Sequence, residues 1–221
     1  MDETRNHDLR PRVARQIMDS RRLERFFMNK VWDRSGEEYL KVFSGLKHLL
    51  DYARTFENPT VLDIGAGTTR GIAEIAQSEE GEGIQFLATV LKKDEETRKH
   101  LGNRQTIMTP AETLKGVSDN STVLILALNS ILYSEAPEMV VQSIDRVLKT
   151  GGVLKATYQT DEGKSIGPLK LHAFKEFRPF FKKRGYEIAS ISKSGTDVVL
   201  LVKPGGKRSV TELLQADLKE S

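Results

Sequence analysis

The chain has 221 residues, of which 38% are hydrophobic, 29% are charged and none is cysteine. This length and composition predict a soluble globular protein with one full core. The lack of cysteine excludes disulfides, thiolate nucleophiles and iron–sulfur clusters, and four scattered histidines leave little for a metal site. No apolar run approaches the roughly 18 residues that span a bilayer, and the N-terminus is too polar for a signal peptide, so we expect a cytoplasmic protein. The formal net charge of +3 permits an acidic partner but does not require one.

Residues 1–57 predict a helical segment that caps the rest of the chain. Residues 9–28 place apolar side chains among six arginines with the spacing of an amphipathic helix. A second helix is expected over residues 35–56, because a serine–glutamate capping box is followed by apolar side chains at steps of three and four. We expect these helices to form a lid over a ligand, with Trp32 and Tyr39 closing over it.

Between residues 58 and 204, strand-like and helix-like patterns alternate along the chain. The expected strands are residues 61–64, 84–90, 105–108, 122–128 and 152–158, and the expected helices are residues 71–77, 94–101, 137–149 and 173–184. Residues 123–128 are apolar throughout, as expected for a strand that is buried on both faces. The alternation predicts an α/β fold with a doubly wound, mostly parallel sheet.

The end of the chain follows a different pattern. Residues 187–193 and 197–203 resemble two strands, and the short Ser-Gly-Thr segment between them predicts a β-hairpin. We therefore expect a sheet of about seven strands that finishes with an antiparallel strand. Residues 205–221 are expected to form a polar tail with a short helix around residues 210–218.

The strongest local signal is a glycine-rich loop between the first strand and the helix that follows it. Asp63 lies near the end of the strand, and Gly65, Ala66 and Gly67 form the turn. Glycines let the backbone approach a ligand closely, and the start of a helix offers free N–H groups. Such a loop fits NAD(P), FAD and S-adenosylmethionine sites, and it also fits a tight turn without a ligand.

A second motif narrows these alternatives. Residues 146–152 read Arg-Val-Leu-Lys-Thr-Gly-Gly directly before the fifth strand. Together with Asp63, Gly65 and Gly67, this segment resembles the class I S-adenosylmethionine-dependent methyltransferases over about residues 35–203. The resemblance implies S-adenosylmethionine as cofactor, with Asp63 orienting its methionine amino end and the backbone of the glycine loop, Ala66 included, lying close to it. It also implies that Asn129, which follows strand four, lies beside the transferred methyl group.

Three positions depart from the pattern of the family. Thr69 stands where the family often has a third glycine. The second strand ends without a carboxylate, so that Thr89 or Asp94 would have to hold the ribose. After the third strand a proline occupies the position expected for an acidic residue, which leaves Ala111 and Glu112 as the residues nearest to the adenine.

Three residues are candidates for catalysis. Asn129 and Tyr133 follow strand four, where methyltransferases place groups that face the substrate, and His172 follows strand five as a candidate base. Each also has a structural interpretation, in which Asn129 caps a loop, Tyr133 packs and His172 lies on the surface.

Three functions remain open at this point. The first is methyl transfer to an oxygen or nitrogen of a small molecule. The second is methylation of RNA, which the basic stretches 9–25 and 164–184 would bind, although a solvated basic helix face is the preferred interpretation of these stretches. The third is a non-catalytic or NADP-binding relative, in which Lys92 and Lys93 would accept a 2′-phosphate and Gly71 would border the pyrophosphate.

Overall fold

The computed structural model describes residues 33–91, 95–102, 104–134, 136–159, 165–166, 169–170, 173–193 and 196–219. Seven strands of these ranges form one sheet: β1 (Thr60–Ile64), β2 (Gln85–Val90), β3 (Thr106–Met108), β4 (Thr122–Leu128), β5 (Leu148–Gln159), β8 (Glu187–Lys193) and β9 (Thr196–Val202). A separate two-stranded ribbon consists of β6 (Ser165–Ile166) and β7 (Leu169–Lys170).

Helices connect and cover the strands. They are α1 (Gly36–Val42), α2 (Leu46–Arg54), α3 (Arg70–Gln77), α4 (Glu95–Leu101), α5 (Pro137–Val147), α6 (Phe174–Lys183) and α7 (Val210–Lys219), with short 3-10 turns at Glu79–Gly81 and Ile131–Tyr133. None of the helices in the described ranges has the length and hydropathy needed to cross a bilayer. Residues 9–28, Trp32 and His172 lie outside the described residues.

The sheet has the order β3-β2-β1-β4-β5-β9-β8. Strands β1 to β5 pair in parallel, whereas β9 runs antiparallel to both β5 and β8. The predicted α/β class, the doubly wound sheet and the antiparallel end are therefore confirmed. The strand order reverses between β1 and β4, and sheets of this kind bind ligands beyond the carboxyl ends of their strands at such a point.

Alternate residues of each strand pack into two separate cores. Val61, Leu124 and Val153 face the side that is covered by α1, α2, α3 and α7. Leu62 and Ile125 face the opposite side, which α5 and α6 cover. Because both faces of the central strands are covered, these strands are apolar nearly throughout.

The prediction of one helix over residues 35–56 is wrong in one respect, because the chain forms two helices there. The capping box is present, since the Glu38 backbone N–H donates to the Ser35 hydroxyl and the Ser35 N–H donates to the Glu38 carboxylate. The first helix ends at Val42, however, and Gly45 adopts a left-handed conformation with φ +71° directly before the second helix begins. The carbonyl of Ser44 in this turn accepts a hydrogen bond from Lys155, which is fully buried in β5.

The junction between α5 and β5 also differs from the prediction. Helix α5 ends at Val147 and β5 begins at Leu148, before the glycine pair that was expected to separate helix from strand. The glycines lie inside the strand at an irregularity in its pairing with β4, and Gly151 has φ +73°. The Tyr52 hydroxyl donates to the Gly151 carbonyl over 2.8 Å, so this irregularity also anchors α2.

The helix expected near the C-terminus is present as α7. Val210 and Leu213 are buried in the core beside α2 and the last two strands, and the Val210 backbone N–H donates to Glu187 of β8. This helix therefore contributes apolar surface to the main core.

Candidate functional site

The glycine loop leaves β1 in a series of left-handed conformations. Gly65 has φ +73°, Gly67 has φ +58° and Thr69, at the position of the missing third glycine, has φ +65°. The backbone N–H groups of Gly65 and Ala66 both donate to the Thr89 carbonyl, over 3.1 and 3.0 Å. The Thr89 hydroxyl also accepts from the Gly65 N–H, over 3.1 Å. Thr89 is buried and anchors the loop, so its hydroxyl is engaged by the loop backbone, whereas the sequence suggested that it would hold a ribose.

Gly65 is required because β1 and β4 approach each other closely at their carboxyl ends. A Cβ atom at Gly65 would lie 2.6 Å from the Cβ of Ser130, which is closer than real Cβ contacts. The buried Ser130 hydroxyl has no hydrogen-bond partner among the residues that the structure describes. A buried hydroxyl without a partner costs free energy, so this atom is poised to bind a polar group at the switch point.

Asp63 is fully buried in the strand that leads into the glycine loop. Its Oδ2 atom accepts a hydrogen bond of 2.6 Å from the Tyr39 hydroxyl of α1. Its Oδ1 atom is buried and has no partner in the described part of the chain. Burial raises the pKa of Asp63 to about 7, although the Tyr39 hydrogen bond and the positive charge of Arg34 act in the opposite direction.

A polar cluster ties the segment before α1 to the start of α3. The Thr68 hydroxyl donates to Asp33 over 2.8 Å, and this hydrogen bond lowers the pKa of Asp33. The Arg70 guanidinium bridges Asp33 and Glu74, over 3.3 and 2.7 Å. Glu74 also accepts from the Gly36 backbone N–H over 2.6 Å. Helix α1 is therefore attached directly to the element that carries the glycine loop.

Asn129 and Tyr133 lie just beyond β4. Asn129 has φ +50°, and the buried Thr157 hydroxyl accepts from its backbone N–H and donates to its Oδ1, each over 2.9 Å. Both bonds hold the side chain in one orientation and leave its NH₂ group to donate elsewhere. Burial raises the pKa of the Tyr133 hydroxyl, an effect that the positive charge of Arg34 opposes. Arg34 acts in the same way on Tyr39 and Asp63, so its charge lies among these groups.

The turn after β3 is held by α5. The Ser143 hydroxyl donates to the Glu112 carbonyl over 2.6 Å. The Arg146 guanidinium donates to the carbonyls of residues 113 and 114 over 3.1 and 3.0 Å. Ala111 and Glu112 are half-exposed at the same edge of the sheet as the glycine loop, two strands from β1. The arginine of the second sequence motif therefore stabilises the connection in which these two residues lie.

The structure thus brings most of the predicted site residues to one edge of the sheet. They are Asp63, Gly65, Ala66, Gly67, Thr89, Ala111, Glu112, Asn129 and Tyr133. Asp94 and the third catalytic candidate, His172, lie outside the described residues, as do Lys92 and Lys93. Sequence reasoning missed Arg34 and Ser130, which adjoin the capping box and Asn129 but belong to no motif of their own. It also missed the hydrogen bond between Tyr39 and Asp63, because spacing along the chain does not reveal it.

Comparison with known proteins agrees with this arrangement. Residues 62–156 match the family model described as a methyltransferase domain. The match covers less than half of the chain and shows that the segment from β1 to β5 is similar to methyltransferase domains. The family implies S-adenosylmethionine as cofactor and methyl transfer as the reaction. No curated protein matches the sequence significantly.

Solved structures share the methyltransferase fold at low identity. An O-methyltransferase family protein from Burkholderia thailandensis is 15% identical with a TM-score of 0.57, and the alignment covers 91% of this chain and 62% of that chain. A possible histamine N-methyltransferase from Thermotoga maritima is 18% identical with a TM-score of 0.54, covering 82% of this chain and 99% of that chain. The [4+2]-cyclase SpnF is 16% identical with a TM-score of 0.54, covering 73% and 80%. At these identities the likeness shows the fold alone.

The residues present fit S-adenosylmethionine at the end of β1. The unpartnered Oδ1 of Asp63 suits the cationic methionine end, and the left-handed glycine loop leaves backbone close to the same place. They fit NADP less well. Gly71 would have to border the pyrophosphate, but a Cβ atom there would lie 2.4 Å from the Tyr39 ring, so this glycine serves helix packing.

We expect Gly65→Ala to destabilise the protein through two separate effects. The substitution places a side chain at φ +73° and also forces the new Cβ against Ser130. Gly83→Ala is the matched control, because Gly83 has the same φ of +73° but nothing within 4 Å of its Cβ position. Urea unfolding should show about 1–3 kcal/mol more destabilisation for Gly65→Ala than for Gly83→Ala. Equal losses would show that β1 and β4 do not approach as closely as described.

We expect Asp63→Asn to alter the pH dependence of stability. The folded protein retains the Asp63 proton until about pH 7, whereas the unfolded chain releases it near its ordinary pKa of 3.8. The stabilising effect of this raised pKa is complete below 3.8 and is lost as the pH rises through about 7. Relative to Asp63→Asn, the wild type should lose on the order of 4 kcal/mol across that range, as measured by urea unfolding. A constant difference between the two proteins would contradict the raised pKa.

Proposed function

We propose that this methyltransferase transfers a methyl group from S-adenosylmethionine to an oxygen or nitrogen of a small molecule. The observation that carries the proposal is the half-satisfied, buried carboxylate of Asp63 beside the glycine loop at the switch point of the sheet. A buried carboxylate oxygen without a partner is costly, and a cationic amino group bound there would remove that cost.

The cofactor would be bound by one charged side chain and by the backbone of the glycine loop. Asp63 would bind the ammonium group, and the backbone of residues 65–67 would lie along the cofactor where side chains cannot fit. Thr89 is engaged by the glycine loop, so Asp94 remains our candidate for holding the ribose. Ala111 and Glu112, on the turn that Arg146 supports, would border the adenine.

S-adenosylmethionine supplies a methyl group that is already activated by its sulfonium, so the task of the protein is mainly alignment. Asn129 is held by Thr157 on two sides, and its NH₂ group would orient the acceptor atom. Tyr133 would donate a hydrogen bond from its hydroxyl, because its raised pKa keeps it protonated. A base is needed only where the acceptor must lose a proton, and His172 remains our candidate for that role.

The C-terminal part of the basic stretch 164–184 lies away from the glycine loop, which favours a small substrate over RNA. Helix α6 runs back from the carboxyl end of the sheet. Its exposed cations are Lys175 in the first turn, Arg178 in the middle, and Lys182 and Lys183 in the final turn. The following residue, Arg184, lies 3.7 Å from Asp145 in the last turn of α5, directly before β5 begins. The final turn of α6 therefore lies at the edge opposite the glycine loop, so phosphates bound there would not bring a base to Asn129.

The solved neighbours support oxygen or nitrogen as the methyl acceptor, but they do not identify which of the two this protein uses. Their titles include an O-methyltransferase family protein and a possible histamine N-methyltransferase, which are oxygen and nitrogen chemistries. The presence of a [4+2]-cyclase among them shows that this fold also serves other reactions. A direct assay of methyl transfer is therefore the deciding test.

We expect calorimetry to detect binding of S-adenosylhomocysteine to the full chain. Asp63→Asn should weaken that binding by about tenfold or more, since a hydrogen bond to a charged group contributes about 1.5–3 kcal/mol. Asp51→Asn is the control, because Asp51 is an exposed carboxylate of α2 that pairs with Arg54. Label from S-adenosylmethionine should then pass to small phenols, acids or amines and not to RNA. Labelling of RNA alone would refute the proposed substrate class, and lack of binding by the wild type would refute the proposal as a whole.

A further inference from the structure

Tyr39 lies on α1, where this helix contacts the strand that leads into the glycine loop. Its hydroxyl donates to Asp63 Oδ2 over 2.6 Å, and both side chains are buried. Its ring packs directly on Gly71, where a Cβ atom would come within 2.4 Å, and against Phe43 at a centroid distance of 5.9 Å. These contacts leave the phenol little freedom to turn away from the carboxylate.

The hydrogen bond makes the two oxygens of Asp63 different. Oδ2 is occupied by a neutral donor, while Oδ1 is buried without a partner among the residues described. The carboxylate is thereby held in one rotation, with one oxygen kept for an incoming group. A ligand that brings a positive charge to Oδ1 would give both carboxylate oxygens a partner. A neutral ligand would leave the negative charge of Asp63 uncompensated.

We propose that Tyr39 is a positioning residue for the methyl donor, because its hydroxyl holds Asp63 in the orientation in which Oδ1 receives the donor's ammonium group. The inference rests on the proposed function, since it concerns binding of the same cofactor. The same hydrogen bond couples the position of α1 to binding of the cofactor. The carboxylate that binds the donor is the one that binds α1, so occupancy strengthens the docking of that helix.

Few charged or titratable groups act on Asp63. In the described part of the chain they are the Tyr39 hydroxyl, from α1, and the Arg34 guanidinium, from the segment just before α1. Both favour the ionised carboxylate, and burial favours the protonated one. Removal of the hydroxyl should therefore raise the pKa of Asp63 further, so that the carboxylate ionises only at higher pH.

The test is the pH profile of S-adenosylhomocysteine affinity, measured by calorimetry from about pH 6 to about pH 8.5. Wild-type affinity should rise with pH through a midpoint near 7, where Asp63 ionises. Tyr39→Phe should move that midpoint upward, weaken binding at neutral pH by about tenfold, and approach the wild type at the alkaline end. A purely structural role for Tyr39 would lower affinity at every pH and leave the midpoint unchanged.

Tyr52→Phe is the matched control, because it also removes a buried hydrogen bond of a tyrosine, the one to the Gly151 carbonyl at the opposite edge of the sheet. Its midpoint should coincide with that of the wild type, and any titration of the ligand is common to all variants. Gly71→Ala is a second variant that retains the hydroxyl but displaces the ring. It should move the midpoint in the same direction as Tyr39→Phe, which keeps the test decisive if the phenylalanine variant does not fold.

The outcomes separate the two proposals. If the wild type binds S-adenosylhomocysteine and the Tyr39→Phe and Gly71→Ala midpoints match it, Tyr39 has no positioning role and the proposed function stands. If the wild type does not bind, both proposals fail. Carbon-detected NMR titration of Asp63 without ligand gives an independent reading, because its pKa should be higher in Tyr39→Phe than in the wild type whether or not any cofactor is present.

Discussion

The buried carboxylate of Asp63 is the interaction on which the rest of the site depends. Burial without full compensation makes the charged form costly. Among the residues that the structure describes, a phenol and a nearby guanidinium offset that cost. Asp63 also lies two residues before Gly65, where β1 and β4 approach so closely that a single methyl group would not fit. The charge is therefore fixed at a point where the backbone has no freedom to move away.

Helix α1 and the residues just before it are attached to the sheet around this carboxylate. Tyr39 reaches Asp63 from above the start of α3, and Asp33 and Gly36 bind Thr68 and Glu74 beside it. Residues 33–39 therefore contact both the carboxylate that precedes the glycine loop and the helix that follows it. Binding of a cationic ligand at Asp63 would therefore also change the strength of the hydrogen bond that holds α1.

Much of the fold could be predicted because it follows from local patterns. The apolar run of β4 and the alternation of strands and helices indicated the sheet, and the serine–glutamate pair marked the start of α1. The interruption at Gly45 could not be predicted, because the apolar stripe continues through it and the left-handed turn is bound by Lys155 from a distant strand. The early start of β5 is similar, since the phenol of Tyr52, about a hundred residues away in the chain, anchors its glycine irregularity.

In the site, too, residues within a motif could be predicted, whereas contacts from distant segments could not. Asp63 and the glycines could be recognised from their motif, but which oxygen of Asp63 is occupied depends on Tyr39, which lies outside that motif on α1. Thr89 was expected at the ribose because it lies at the end of β2, and its residue type did suit a hydrogen bond. The bond it makes is to the loop backbone, because the neighbouring strand places Gly65 N–H within 3.1 Å of its hydroxyl.

The positions that depart from the family pattern have a common physical consequence. Thr69 takes the left-handed conformation that a glycine would adopt freely, at a cost of order 1–3 kcal/mol that the surrounding loop must offset. Thr89 supplies part of that support through its hydrogen bonds to the loop. A loop that is anchored in this way is rigid before the cofactor arrives, so less conformational entropy is lost on binding. In our proposal, the rigid loop backbone and the single oriented carboxylate would partly compensate for the ribose carboxylate that is missing from the end of β2.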